Sequence, residues 1–175
     1  MKKYFFLFVV GVTATTISFG QKYGKTKFSL GPEIGYATSN PFKAFPENKG
    51  FGVGIGASAQ VEHFFQESLS GVLSFGIISY AGRASGSTDK NKAYTAVPIL
   101  VGGNAYVGDR FHIGAQIGAG LNSLSGESST TFAYSPQIGY KFSRNEKPLD
   151  LTLKYDGYAA KKSFSAIGLR LSLIL

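Results

Sequence analysis

Apolar residues alternate with small or polar ones, with a period of two, across residues 94–122, and no other feature of this chain restricts its fold as much. From Thr95 the odd positions carry Val97, Ile99, Val101, Ala105 and Val107. After Gly108-Asp109-Arg110 they continue as Phe111, Ile113, Ala115, Ile117, Ala119 and Leu121. The even positions hold Ala96, Pro98, Gly102, Asn104 and Tyr106, then His112, Gly114, Gln116, Gly118, Gly120 and Asn122. Alternation sustained this long places the two sets on opposite faces of extended strands. Gly108-Asp109-Arg110 is short enough to return the chain directly, so the stretch predicts an antiparallel hairpin. One face is apolar from end to end. The other is too polar for an ordinary core and too poor in charge for a surface in bulk water.

The same alternation recurs over residues 27–37, 51–63, 68–81, 131–142 and 149–157, and again at the end of the chain through Ile167, Leu169, Leu171, Leu173 and Leu175. Together these predict about eight strands of roughly 10–13 residues, the count and length of the smallest membrane barrels. The connections alternate in length. Residues 64–67, 108–110 and 143–148 make short turns, while 38–50, 82–93, 123–130 and 158–162 are mostly longer and rich in Ser, Asn, Gly, Pro and Lys. Short turns on one rim and longer loops on the other belong to an outer-membrane barrel with both termini on the short-turn side.

Two barrels share this period. A soluble one turns its apolar set inward, and a membrane one turns it to lipid. A water-facing set would be roughly a quarter to a third charged. Here the polar set averages about one charge per strand and Gly is its commonest residue, which suits a lumen barely wide enough for side chains. The aromatics agree. Phe28, Tyr36, Phe51, Phe111, Phe132, Tyr134, Tyr140, Phe142 and Tyr155 fall near strand ends, and Ile34, Val53, Ile55, Ile117, Leu153 and Leu169 fall near strand centres; Phe75 departs from this. Two aromatic girdles around an aliphatic band match the two interfaces of a bilayer. Lys2-Lys3, the apolar run behind them and the small residues up to Gly20 predict a signal peptide over residues 1–20, leaving 21–175 as a single domain. The chain has no Cys, so disulfides and Cys-ligated metal are excluded. The predicted fold class is an all-β, eight-stranded antiparallel up-and-down transmembrane β-barrel.

On these residues the chain resembles the small outer-membrane β-barrel family, the eight-stranded type that includes the OmpA transmembrane domain and OmpX. The resemblance rests on Val97-Pro98-Ile99-Leu100-Val101, Tyr106, Gly108-Asp109-Arg110-Phe111 and the Gly114 to Gly120 run, against a family middle that reads IPLLxGxxYxxGDRFYxGAGxGxG. Gly168-x-x-Leu171-x-Leu173 matches the family's assembly signal in the last strand, with Leu175 where the family has an aromatic residue. The resemblance implies residence in the outer membrane of a Gram-negative bacterium, as a monomer inserted by the barrel assembly machinery through the C-terminal strand. Its lipid partners would include lipopolysaccharide.

Glu33, Glu62, Lys141, Asp150, Lys154, Asp156 and Arg170 fall on the inward set. A charge in such an interior must be paired or hydrated, which predicts a network in which Glu33 and Glu62 neutralise Arg170 and Lys154. The plain role is to fill the lumen; the sharper one is a gated conductance or proton path. His112 is predicted inside near the short-turn rim, and His63 outside near the same rim. Neither has a Ser or Cys at a triad spacing, so no catalytic residue, metal or cofactor is predicted. Some barrels of this type modify lipid A with a His and a Ser near the outer rim, where neither His falls. Lys43, Lys49, Arg83, Lys90, Lys92, Lys161 and Lys162 fall in the longer loops and predict contact with anionic lipopolysaccharide or with an anionic polysaccharide or host surface. No nucleic-acid partner is predicted. The functional expectation is a non-enzymatic envelope-structural or surface-binding protein. The alternatives are a narrow gated channel, a PorT-like accessory barrel for secretion or assembly, and last a lipid A-modifying enzyme.

Overall fold

The computed structural model describes residues 24–39, 51–82, 93–124, 127–142, 148–159 and 163–175. The predicted signal peptide, and the lysines and arginine of the longer loops, lie outside the described residues. Among the described residues every regular element is a strand. These are β1 (Thr26–Ala37), β2 (Phe51–Gln66), β3 (Leu69–Gly82), β4 (Tyr94–Val107), β5 (Phe111–Leu124), β6 (Glu127–Lys141), β7 (Leu149–Ala159) and β8 (Phe164–Ile174). Each pairs antiparallel with its sequence neighbours, and β1 pairs with β8, so the sheet closes in the order β1 to β8. The architecture is the predicted eight-stranded up-and-down barrel.

The period-two pattern sets the two surfaces. Ile34, Ile55, Val101, Ile117, Leu153 and Leu169 stand outside and are exposed, while Glu33, Gln60, Gln116, Thr152 and Arg170 are buried in the bore. Phe28, Tyr140 and Phe142 lie outside toward the short-turn rim, and Tyr36, Phe132, Tyr134 and Tyr155 lie outside toward the other. Hydrophobic burial therefore cannot close this fold as it closes a soluble one, since most of its large aliphatic side chains face outward. Continuous backbone ladders close it instead. That between β4 and β5 runs unbroken from Tyr94↔Leu124 to Val107↔Phe111. Gly108 begins the tight turn between them at φ 66°, a left-handed conformation that glycine adopts without steric cost.

The strands run longer than the periodicity predicts, from 11 to 16 residues. Phe64, Phe65 and Gln66, expected in a turn, remain in β2, where the register shifts between Phe64 and Gln66. Phe65 sits at that irregularity with its ring against Gly71. Residues 123–130, expected as a loop, mostly extend the β5–β6 hairpin, with Ser123 paired to Ser128 and Leu124 to Glu127. Tyr158, expected in the last long loop, stays in β7 and is buried. Serine- and threonine-rich segments read as loops by composition, but here neighbouring strands supply ladder partners that override the local preference.

Candidate functional site

The bore is filled in two layers. At the long-loop end Tyr80 of β3, Tyr94 of β4, Tyr158 of β7 and Phe164 of β8 converge into an aromatic plug. Phe164 is its centre, with ring centroids 4.5 Å from Tyr94, 4.9 Å from Tyr80 and 5.9 Å from Tyr158. Sequence periodicity missed this plug. Tyr80 fell on the inward set, but Tyr158 was expected in a loop and Phe164 carried no signal of its own, and only barrel closure brings four separate strands to one point.

Below the plug lie the ions. Lys154 on β7 reaches Glu33 Oε1 on β1 at 2.6 Å and Asp156 Oδ2 at 3.1 Å, and Ser135 donates to the other oxygen of Asp156 at 2.7 Å. Nearer the short-turn rim Glu62 Oε1 accepts from Ser70 at 2.6 Å, Asn104 at 3.0 Å and Tyr106 at 2.5 Å, while Lys141 Nζ stands 3.7 Å from Oε2. Lys141 also donates to the Tyr106 hydroxyl at 2.8 Å, and Gln137 donates to Asn104 at 2.8 Å. Ser74 and Gln116 are hydrogen-bonded in the same layer. Thr152 donates to Asp150 Oδ1 at 2.7 Å and accepts from Arg170 Nη2 at 3.3 Å. His112 is 1% exposed and its Nε2 lies 3.0 Å from Asp150 Oδ2; because a carboxylate only accepts, that ring nitrogen donates.

Interior glycines make these reaches geometrically available. His112 on β5 reaches Asp150 on β7 by lying across β6 at Gly139, where a Cβ would strike the imidazole. Lys154 crosses β8 at Gly168, whose missing side chain leaves room for the lysine methylenes, 3.1 to 3.2 Å from where a Cβ would stand. Tyr80 on β3 lies over Gly54 of β2 and touches Gly35 of β1 with its hydroxyl. Glycine is frequent on the inward face because long side chains need troughs across neighbouring strands.

The inward residues singled out by sequence all face the bore; the Lys154–Glu33 pair falls within the predicted network, and the other partners differ from it. Lys154 goes to Glu33 and Asp156. Glu62 goes to Lys141, another of the inward charges singled out by sequence, rather than to Arg170 or Lys154. Arg170 is the register partner of Glu33 yet bonds Thr152. The His112–Asp150 contact was also missed, because its members lie two strands apart and no local spacing links them. His63 stands on the outer side, its Nδ1 2.9 Å from Thr26 Oγ1 and its ring edge-on to Phe65. No group of three or more His, Cys, Asp or Glu among the described residues could hold a metal. Chemically, the interior can hold charge and fix a wall; no described nucleophile stands beside the His112–Asp150 pair in reach of lipid.

The architecture has solved counterparts. It resembles the attachment invasion locus protein Ail of Yersinia pestis, with a TM-score of 0.56 at 11% identity, covering 88% of this chain and 100% of that one. For Neisserial surface protein A the TM-score is 0.57 at 12% identity, with 89% and 99% covered. The fold is that of the small outer-membrane β-barrels. OprG from Pseudomonas aeruginosa matches this barrel fold equally, with a TM-score of 0.57 at 9% identity and 89% and 98% covered. No family model matches the chain, and neither does any curated protein sequence. The shared property is the barrel itself, and identities this low leave the side chains of bore and rim particular to this protein.

Proposed function

We propose that the mature chain is a monomeric, non-enzymatic outer-membrane barrel that serves as a closed support for its longer loops, in an envelope-structural or surface-binding role. The observation that carries this reading is a lipid-suited exterior around an occupied bore. An aliphatic belt between aromatic rims faces outward, while an aromatic plug and hydrogen-bonded ions fill the inside. Export by the 1–20 signal peptide and insertion into a Gram-negative outer membrane follow from the same reading. Lys43, Lys49, Lys90, Lys92, Lys161 and Lys162, with Arg83, give the loops a basic character suited to lipopolysaccharide or another anionic surface. Ail, which shares the fold, has been seen with the heparin analogue sucrose octasulfate, which supports the surface-binding variant.

The channel alternative needs a continuous polar path, and the plug and ion layers stand across it. The lipid A-modifying alternative needs a catalytic group facing lipid, and His112 and Asp150 point into the bore. Recording from the purified barrel in planar bilayers tests the proposal. Insertion without unitary current steps is expected, and reproducible steps of fixed amplitude would overturn it.

A further inference from the structure

Asp150 is the acceptor on which two lines of hydrogen bonds meet. Along the first, Arg170 Nη2 on β8 donates at 3.3 Å to Thr152 Oγ1, its register partner on β7. Thr152 then donates to Asp150 Oδ1 at 2.7 Å. Along the second, His112 on β5 crosses β6 at Gly139 and donates from Nε2 to Asp150 Oδ2 at 3.0 Å. Each line begins from a buried side chain with one ring or guanidinium nitrogen still open. Among the described residues Arg170 Nε and His112 Nδ1 have no partner. Buried polar groups of this kind are almost always satisfied in folded proteins, by protein or by ordered water.

The two open positions are complementary. Arg170 Nε–H only donates, and a neutral His112 whose proton sits on Nε2 presents an Nδ1 that only accepts. Arg170, His112 and Asp150 line one cavity of about 10 Å³ near the short-turn end. A space of about that size holds a single water. Its occupant has to take one hydrogen bond from Arg170 and give one to His112. A halide has no hydrogen to give to Nδ1, and a metal cation would face the guanidinium. Water does both, and Ser29, Gln60 and Ser172 in the same wall offer oxygens for its second hydrogen. No charge is required of it, because Asp150 already stands at the end of both lines as the counterion of Arg170.

We propose that this cavity binds one water, which accepts from Arg170 Nε–H, donates to His112 Nδ1 and closes a ring through Asp150 and Thr152. The water is part of the wall: the ring joins β5, β7 and β8 across Gly139 and turns Arg170 toward Asp150, leaving Glu33 to Lys154. NMR of the lipid-embedded barrel tests this. The chain has two histidines, so the imidazole ¹⁵N signals of His112 are readily assigned. They are expected to show a proton on Nε2 and none on Nδ1. Arg170 Hε and the carbon-bound His112 Hε1 are both expected to give water cross-peaks with the opposite NOE and ROE signs of a long-lived neighbour. Added bromide should leave those peaks unchanged, and Arg170→Met should abolish the one at His112. A proton on Nδ1, an Arg170 Hε without a water peak, loss of the peaks in bromide, or survival of the His112 peak in Arg170→Met would each overturn the proposal. The wild-type spectra decide the matter even if Arg170→Met does not fold.

Discussion

Lys154 shows how this barrel holds charge at the scale of one residue. Its ammonium lies between Glu33 and Asp156, on strands to either side of the Gly168 trough. Removing it leaves two carboxylates facing each other without water. Breaking a buried ion pair from one side costs about 3–5 kcal/mol, so Lys154→Met should lower the unfolding free energy by about that amount in urea titrations of the lipid-inserted protein. A loss under about 1 kcal/mol, the range of exposed pairs, would mean that the pair is hydrated. That Lys154 faces the bore was legible from its even position in an alternating strand. Its choice of Glu33 over Glu62 was not, because the path to β1 runs over a glycine on β8 and exists only once the sheet has closed. His112 and Asp150 repeat the lesson across Gly139. Inward glycines were legible as small, but not as crossings.

At the scale of the element, proline divides the wall. The β8–β1 ladder lacks the pairs at Gly31 and Pro32, the β3–β4 ladder those at Val97 and Pro98, and the β6–β7 ladder those at Ser135 and Pro136. Each gap follows from a strand residue with no N–H to donate. The wall is thus three panels, β1–β3, β4–β6 and β7–β8. The smallest panel is fastened by the two seams at Pro32 and Pro136 and by interior contacts through Asp150, Lys154 and Asp156. Backbone amides of β7 and β8 beside these gaps should therefore exchange with deuterium about tenfold faster, or more, than those in the unbroken β4–β5 ladder. Exchange mapped by NMR in nanodiscs checks this, and uniform protection around the barrel would contradict it. Pro32, Pro98 and Pro136 were visible in alternating stretches, yet the sequence could not say which neighbour each would face. That depends on which side of the strand its missing donor lies. Strand ends were the least legible feature, since Ser and Thr in residues 123–130 signal a turn by composition while cross-strand partners keep them extended.

At the scale of the molecule, the account depends on a single inversion of the soluble rule. Ile55, 73% exposed, stands on the outer wall, while Thr152, 0% exposed, stands within the bore. This was the most legible property of all, because it needs only the period of two and the contrast between a Gly-rich face with few charges and an aliphatic one. What the loops bind was not legible, since basic residues there carry no geometry of their own. The decisive measurement is paramagnetic accessibility of single spin labels walked along β2 and β7 in lipid vesicles. Labels at Ile55, Val53 and Leu153 should be relaxed strongly by lipid-dissolved oxygen, while labels at Ser58 and Thr152 should be shielded from it, with period-two alternation along both strands. Oxygen accessibility in the opposite phase, or high accessibility to a water-soluble nickel complex at Ile55 and Leu153, would contradict the account.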